Sequence, residues 1–156
     1  MSDGPDLGWT TTYLMGLRLA RAGTLAGVCE FDWFAVDLDG RLAVFETASF
    51  GFHPPAELLP TDADYIDAMR EVHAAEGVGW DDHDAEPKYG HFYVYDWRIP
   101  TWETQHYSRI RLPVAVGTDG LDVVRSIAVL VDGRFSEISS LTQPPLWRRP
   151  SGRPAR

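Results

Sequence analysis

The residues best suited to chemistry lie in one acidic stretch, residues 80–86, which reads WDDHDAE. Carboxylates and an imidazole can bind a divalent metal, so Asp82, His83 and Asp84 are the candidate metal ligands. Consecutive residues of one loop rarely converge on an ion unless another segment supplies ligands, and a solvated acidic loop has the same composition. The sequence therefore predicts no bound metal and no other cofactor.

The same carboxylates suit a second chemistry, the acid and base pair of glycoside hydrolysis, with Trp80, Trp97 and Trp102 as stacking platforms for sugar rings. Nothing in their spacing fixes two carboxylates across a bond, and aromatic residues in strands are more often core residues. The chain also lacks the GxxxxGK[ST], GxSxG, HExxH and paired CxxC motifs. No catalytic residue is predicted. A small-ligand-binding or hydrolytic domain that uses loop 80–89 stands as the alternative to a binding protein.

Charge is the strongest global feature of the chain. There are 14 Lys and Arg against 23 Asp and Glu, a formal net charge of −9. The Arg- and Pro-rich tail, residues 144–156, holds four Arg and no acid, so residues 1–143 carry −13. Such a body repels nucleic acid and attracts a basic protein partner, although acidity can also serve solubility alone. We expect a basic protein partner and no nucleic acid.

Length and composition indicate one globular domain over residues 1–143, followed by a disordered tail. A chain of 156 residues can bury roughly 70% of its unfolded surface in a single core. Cys29 is the only cysteine, so no intramolecular disulfide forms, which favours the cytosol. No run reaches the ~18 apolar residues of a membrane span, so no membrane association is expected.

Local patterns predict a hairpin and one helix. Residues 31–38 and 41–47 are strand-like on either side of Asp39-Gly40, which suits a type I′ turn with positive φ at both residues. A helix follows over residues 62–76. It has Thr61 and Asp64 as a capping pair, and Gly77 as its stop.

Further strands are predicted over residues 91–99 and 107–116, where Pro113 favours an edge position. Residues 123–131 and 135–138 favour another strand pair, with a short helix as the alternative. The N-terminal TTTYLMGLRLARAG fits a strand or a helix equally. The fold class is therefore α+β, a mainly antiparallel sheet with one helix packed on it, and no βαβ alternation supports a nucleotide-binding sheet.

The predicted binding surface is the loop 80–89 with two tryptophans that follow it. Acidic side chains would attract the partner, and aromatic side chains would anchor it. The candidate contact residues are Trp80, Asp81, Asp82, Asp84, Tyr89, Trp97 and Trp102.

One stretch carries a family resemblance. Residues 33–37, WFAVD, followed by residues 39–47, DGRLAVFET, resemble a pattern in uncharacterised bacterial proteins, some of which are similar to immunity proteins of polymorphic toxin systems. The resemblance implies an intracellular binding protein, and it implies no catalytic residues.

Overall fold

The computed structural model describes residues 9–77, 87–114 and 120–148, with only the backbone of residues 9–11. This part of the chain folds into three helices and one six-stranded sheet, which confirms the α+β class. The helices are α1 Trp9–Ala22, α2 Asp62–Ala75 and α3 Asp122–Ile127, with a 3₁₀ turn at Ala56–Leu58. The strands are β1 Asp32–Val36, β2 Leu42–Glu46, β3 Tyr93–Arg98, β4 His106–Arg111, β5 Val129–Leu130 and β6 Ser140–Leu141.

The sheet is mixed, so the predicted mainly antiparallel arrangement is wrong. Its order is β5-β1-β2-β3-β4-β6. The pairs β1–β2, β3–β4 and β4–β6 are antiparallel, whereas β2–β3 and β1–β5 are parallel. Helix α2 lies between β2 and β3 in the chain, and such a crossover lets β3 run in the same direction as β2. The predicted edge position of β4 is also wrong, because β4 lies between β3 and β6, and Pro113 follows the strand's end.

The predicted hairpin is present as β1 and β2, but its turn differs from type I′. Gly40 has a positive φ of 76°, whereas Asp39 does not. The Gly40 N–H donates to the Asp37 carbonyl (3.0 Å), and the Asp37 N–H donates to the Arg41 carbonyl (3.0 Å). The loop is therefore longer than two residues, and it needs left-handed backbone only at glycine.

Helix α2 confirms the predicted helix closely. The Thr61 hydroxyl accepts from the Asp64 N–H (3.1 Å), and Gly77 has a φ of 71° just beyond the helix. Five side chains of the helix are buried: Tyr65, Ala68, Met69, Val72 and His73. Ile66, on the same helix, is only half-buried.

The region predicted as a second strand pair contains α3, the two-residue β5 and a turn. The carboxylate of Glu71, on α2, accepts from the backbone N–H groups of Val123 (3.0 Å) and Val124 (2.8 Å). These donors belong to the first turn of α3, where a helix has no internal acceptors. The strand prediction is wrong for residues 123–127, where this distant cap favours the helical alternative, and for residues 135–138, which contain a turn; within residues 123–131 only Val129–Leu130 is strand.

The chain after β6 links the two edges of the sheet. The Leu130 N–H, in β5, donates to the Arg148 carbonyl (2.9 Å). The Trp147 ring packs edge-on against Trp33 of β1, with 5.4 Å between ring centroids. Two residues of the predicted disordered tail, Trp147 and Arg148, thus contact the sheet, while residues 149–156 lie outside the described chain.

Helix α1 settles the ambiguous N-terminal segment as helical, and its Leu17 and Ala20 are buried in the common core. No helix within the described ranges is long and apolar enough to span a bilayer.

Candidate binding surface

The structure places the predicted contact residues in three different settings. Trp80, Asp81, Asp82 and Asp84 lie outside the described residues, and so does His83. Tyr89 is in the core, Trp97 is half-buried, and Trp102 is 70% exposed. Within the described ranges, no cluster of His, Cys, Asp or Glu could hold a metal ion.

Tyr89 is not a surface residue. Its side chain is 2% exposed and packs against Phe34 and Phe92, while its hydroxyl donates to the Asp32 carboxylate (2.7 Å). Burial, with the nearby Asp32 charge, raises the pKa of Tyr89 well above its usual value. Its role is structural, because it donates to the buried carboxylate of Asp32, the first residue of β1.

The buried tyrosines predict a sharp alkaline limit to stability. Burial is the main cause that raises the pKa of four of them: Tyr65, Tyr89, Tyr95 and Tyr107. In the unfolded chain tyrosine ionises near pH ~10, so the unfolded state gains charge first. The stability that these neutral tyrosines contribute is complete below pH ~10 and is lost as pH rises further.

The free energy of unfolding, measured with urea between about pH 8 and 12, checks this prediction together with tyrosinate absorbance. This range brackets the pKa of tyrosine in the unfolded chain, ~10. We expect stability to fall steeply above pH ~10, with most tyrosinate appearing together with unfolding. Gradual ionisation of these tyrosines in the folded protein would contradict the expected burial effect.

Trp102 belongs to an exposed aromatic group that residue spacing alone does not indicate. Its ring stands edge-on to Phe50, with 5.9 Å between centroids and 78° between planes, and Phe50 is 43% exposed. Two residues along the chain from Phe50, the Phe52 ring packs edge-on against Trp97 (5.5 Å) and Trp147 (6.2 Å). We call these five residues the aromatic face.

Hydrogen bonds hold the aromatic face in place. The Phe52 carbonyl accepts from the Trp33 indole N–H (3.0 Å) and from the Tyr107 hydroxyl (2.7 Å). The Trp97 indole donates to Gln105 Oε1 (3.0 Å), and the Gln105 amide donates to the Trp102 carbonyl (3.2 Å). The backbone at Phe52 and Trp102 and the Trp97 ring are therefore already ordered before a partner binds.

A strained turn presents Phe50. Ala48 and Ser49 have positive φ values of 47° and 66°, a conformation that costs about 1–3 kcal/mol for a residue other than glycine. The turn is held by the Gly51 N–H, which donates to the Thr47 carbonyl (2.7 Å), and by the Gly27 N–H, which donates to the Ser49 carbonyl (3.0 Å). Strain of this kind is concentrated at functional sites.

A cleft of about 320 Å³ adjoins the aromatic face, and we call it the α1 cleft. It is lined by Gly23, Leu25, Ala26, Ser49, Phe50, Gly51, Phe52 and His53. The His53 Nδ1 lies 2.8 Å from the Pro54 carbonyl, which can only accept, so Nδ1 carries the proton. In the neutral ring, Nε2 is then an acceptor. A second cavity, beside Phe31 and Leu58, holds only about 10 Å³ and is walled by apolar side chains, so it suits no ligand.

Sequence reasoning identified Trp97 and Trp102 and missed the other members of the aromatic face. Phe50 and Phe52 lie in a Gly- and Pro-rich connection, and Trp147 lies in the predicted tail. The sequence signal that could have identified them is the presence of aromatic residues in turn-rich segments that lack a strand pattern.

Comparisons of the chain with protein-family models, with curated proteins and with solved structures find no match.

Proposed function

We propose that the protein is an acidic protein-binding module, of the type of an immunity protein, which covers a basic partner protein in the cytoplasm with its aromatic face. The observation that carries this proposal is the exposed pair Phe50 and Trp102, whose rings are in edge-on contact. Large aromatic side chains that are exposed on a rigid support provide much of the binding energy at protein interfaces. The resemblance of residues 33–47 to immunity-like proteins favours the same function.

Charge supports a basic partner. Several arginine side chains are engaged within the molecule, for example Arg134 with Asp39 (3.2 Å) and Arg148 with Asp132 (3.2 Å). With −13 over residues 1–143, the body attracts a basic protein and speeds its association. The acidic residues Asp81, Asp82 and Asp84 remain part of this proposal as attracting charges.

Affinity capture from lysate of the source cells tests the proposal. The wild type is compared with Trp102→Ser and with Val114→Ser, because Val114 is an exposed apolar residue elsewhere, at 87% exposure. We expect the wild type and Val114→Ser to retain one basic protein that high salt weakens. Loss of an aromatic anchor that a partner would bury costs ~2 kcal/mol or more of binding free energy. Trp102→Ser should therefore bind the partner about 30-fold more weakly. Equal capture by all three proteins would overturn the proposal.

The captured partner then allows the attracting charges to be tested separately. Replacement of Asp81, Asp82 and Asp84 together by Ser is expected to slow association and to flatten its salt dependence, with less effect on dissociation. Stopped-flow association at several salt concentrations measures both. Unchanged association kinetics would show that residues 80–86 do not contribute to the binding surface.

A second candidate function is a small-ligand domain, which the α1 cleft beside the exposed Trp102 favours. A ligand that binds only the folded state raises the melting temperature. A melting screen with sugars and divalent metals tests it, and a shift that Trp102→Ser abolishes would support this function.

A further inference from the structure

The α1 cleft lies at the negative end of a helix. Helix α1 has 14 residues and ends at Ala22, and Gly23, with a φ of 75°, is the first residue beyond it. Gly23 and two residues just after it line the cleft. The carbonyl end of a helix carries partial negative charge, equivalent to about half an elementary charge, which favours a cation in its last turn.

The two arginines of α1 bind α2 and not the cleft. Arg18 and Arg21 both donate to the carboxylate of Asp62, at the start of α2. Partial burial opposes this ion pairing, but the two guanidinium groups lower the pKa of Asp62. Neither arginine is among the residues that line the α1 cleft.

The remaining walls of the cleft suit a planar cation. Phe50 lines the cleft and contacts Trp102, and aromatic faces attract cations, arginine most often. His53 Nε2 and the Ser49 hydroxyl are acceptors for N–H donors. A guanidinium group can stack on a ring and donate in its own plane at the same time, which an ammonium group does less well.

We propose that the α1 cleft receives an arginine side chain of the basic partner, which stacks on Phe50, the wall of the cleft that contacts Trp102. This inference rests on the proposed function and specifies its contact. The net charge of −13 over residues 1–143 and the partial negative charge at the end of α1 favour arginine over an apolar or aromatic anchor.

Titration with blocked tripeptides, followed by NMR, tests the inference without the partner. The probes are Gly-Arg-Gly, Gly-citrulline-Gly, which has nearly the same shape without the charge, and Gly-Leu-Gly. We expect the arginine peptide to shift the Trp102 indole N–H and the Gly23 and Gly51 amides saturably. The citrulline and leucine peptides should bind at least about tenfold more weakly. In Trp102→Leu, which changes an exposed residue, the arginine peptide should bind about fivefold more weakly while the amide spectrum stays native.

Equal or tighter binding of the citrulline or leucine peptide would overturn the arginine assignment, and so would the absence of any saturable shift at these three sites. These results leave the proposed function standing if capture of the partner still requires Trp102. Capture that does not depend on Trp102 would instead refute the proposed function itself, so the two failures are distinguishable.

Discussion

Replacement of Asp37 by Ala is expected to lower the free energy of unfolding by about 3–5 kcal/mol, because three backbone donors, one of them buried, lose the buried carboxylate that accepts from them. Asp37 is 2% exposed. Its Oδ1 accepts from the N–H groups of Asp39 (3.0 Å) and Arg41 (2.9 Å), and its Oδ2 accepts from that of Phe135 (2.9 Å). One carboxylate thus joins the β1–β2 turn to the turn that follows β5.

Urea unfolding of three variants checks this prediction. Asp39→Ala is the matched control, because Asp39 is an acid of the same turn whose ion pair with Arg134 is exposed, and its loss should cost less than ~1 kcal/mol. Asp37→Asn keeps one acceptor oxygen and should lie between the other two. If Asp37→Ala is no less stable than Asp39→Ala, the carboxylate does not hold the two turns together.

Replacement of Gly16 by Ala is expected to destabilise the protein by about 2–3 kcal/mol, the opposite of the usual gain from alanine in a helix. A Cβ atom at Gly16 would overlap the backbone carbonyl oxygen of Glu30, and it would lie 3.0 Å from the Phe31 Cβ. A side chain could rotate away, but a backbone carbonyl cannot, so α1 would have to move off the segment that leads into β1.

Gly23→Ala provides the control for this substitution. Gly23 has a φ of 75°, and a Cβ atom added there would have no heavy atom within 4 Å beyond its chain neighbours and its own helix. Alanine at this position therefore meets only the left-handed backbone penalty, about 1 kcal/mol. Thermal or urea unfolding should rank Gly16→Ala below Gly23→Ala, and Gly23→Ala below the wild type. A stabilising Gly16→Ala would show that α1 does not pack closely on Glu30.

Local residue chemistry made part of the fold predictable. Helix α2 carries its own start and stop, since Thr61 caps Asp64 and Gly77 follows the helix. The hairpin was predictable because Asp39-Gly40 interrupts an apolar run. The turn type was not, because the Asp37 side chain, bonded to Phe135 almost a hundred residues away, favours the longer loop.

Contacts between residues distant in sequence determine the two parts of the fold that local patterns did not predict. Helix α3 exists where strand was expected because Glu71, on another helix, caps its first turn. The parallel β2–β3 pairing depends on where α2 crosses the sheet, which periodicity does not encode.

The candidate site was predictable only as single residues. Trp102 was identified, but its exposure depends on the loop that Gln105 holds. Tyr89 was expected on the surface and is buried because Asp32, distant in sequence, accepts its hydroxyl. Phe50 gains its exposure from the strained backbone of Ala48 and Ser49.

Site-specific photocross-linking in the source cells would show whether the aromatic face contacts a basic protein. Benzoylphenylalanine is placed at Trp102 in one variant and at Val114 in another, since both positions are exposed. We expect one cross-linked basic protein from position 102 and none from position 114. Cross-linking of that protein from position 114 alone, or of no protein from position 102, would contradict this expectation.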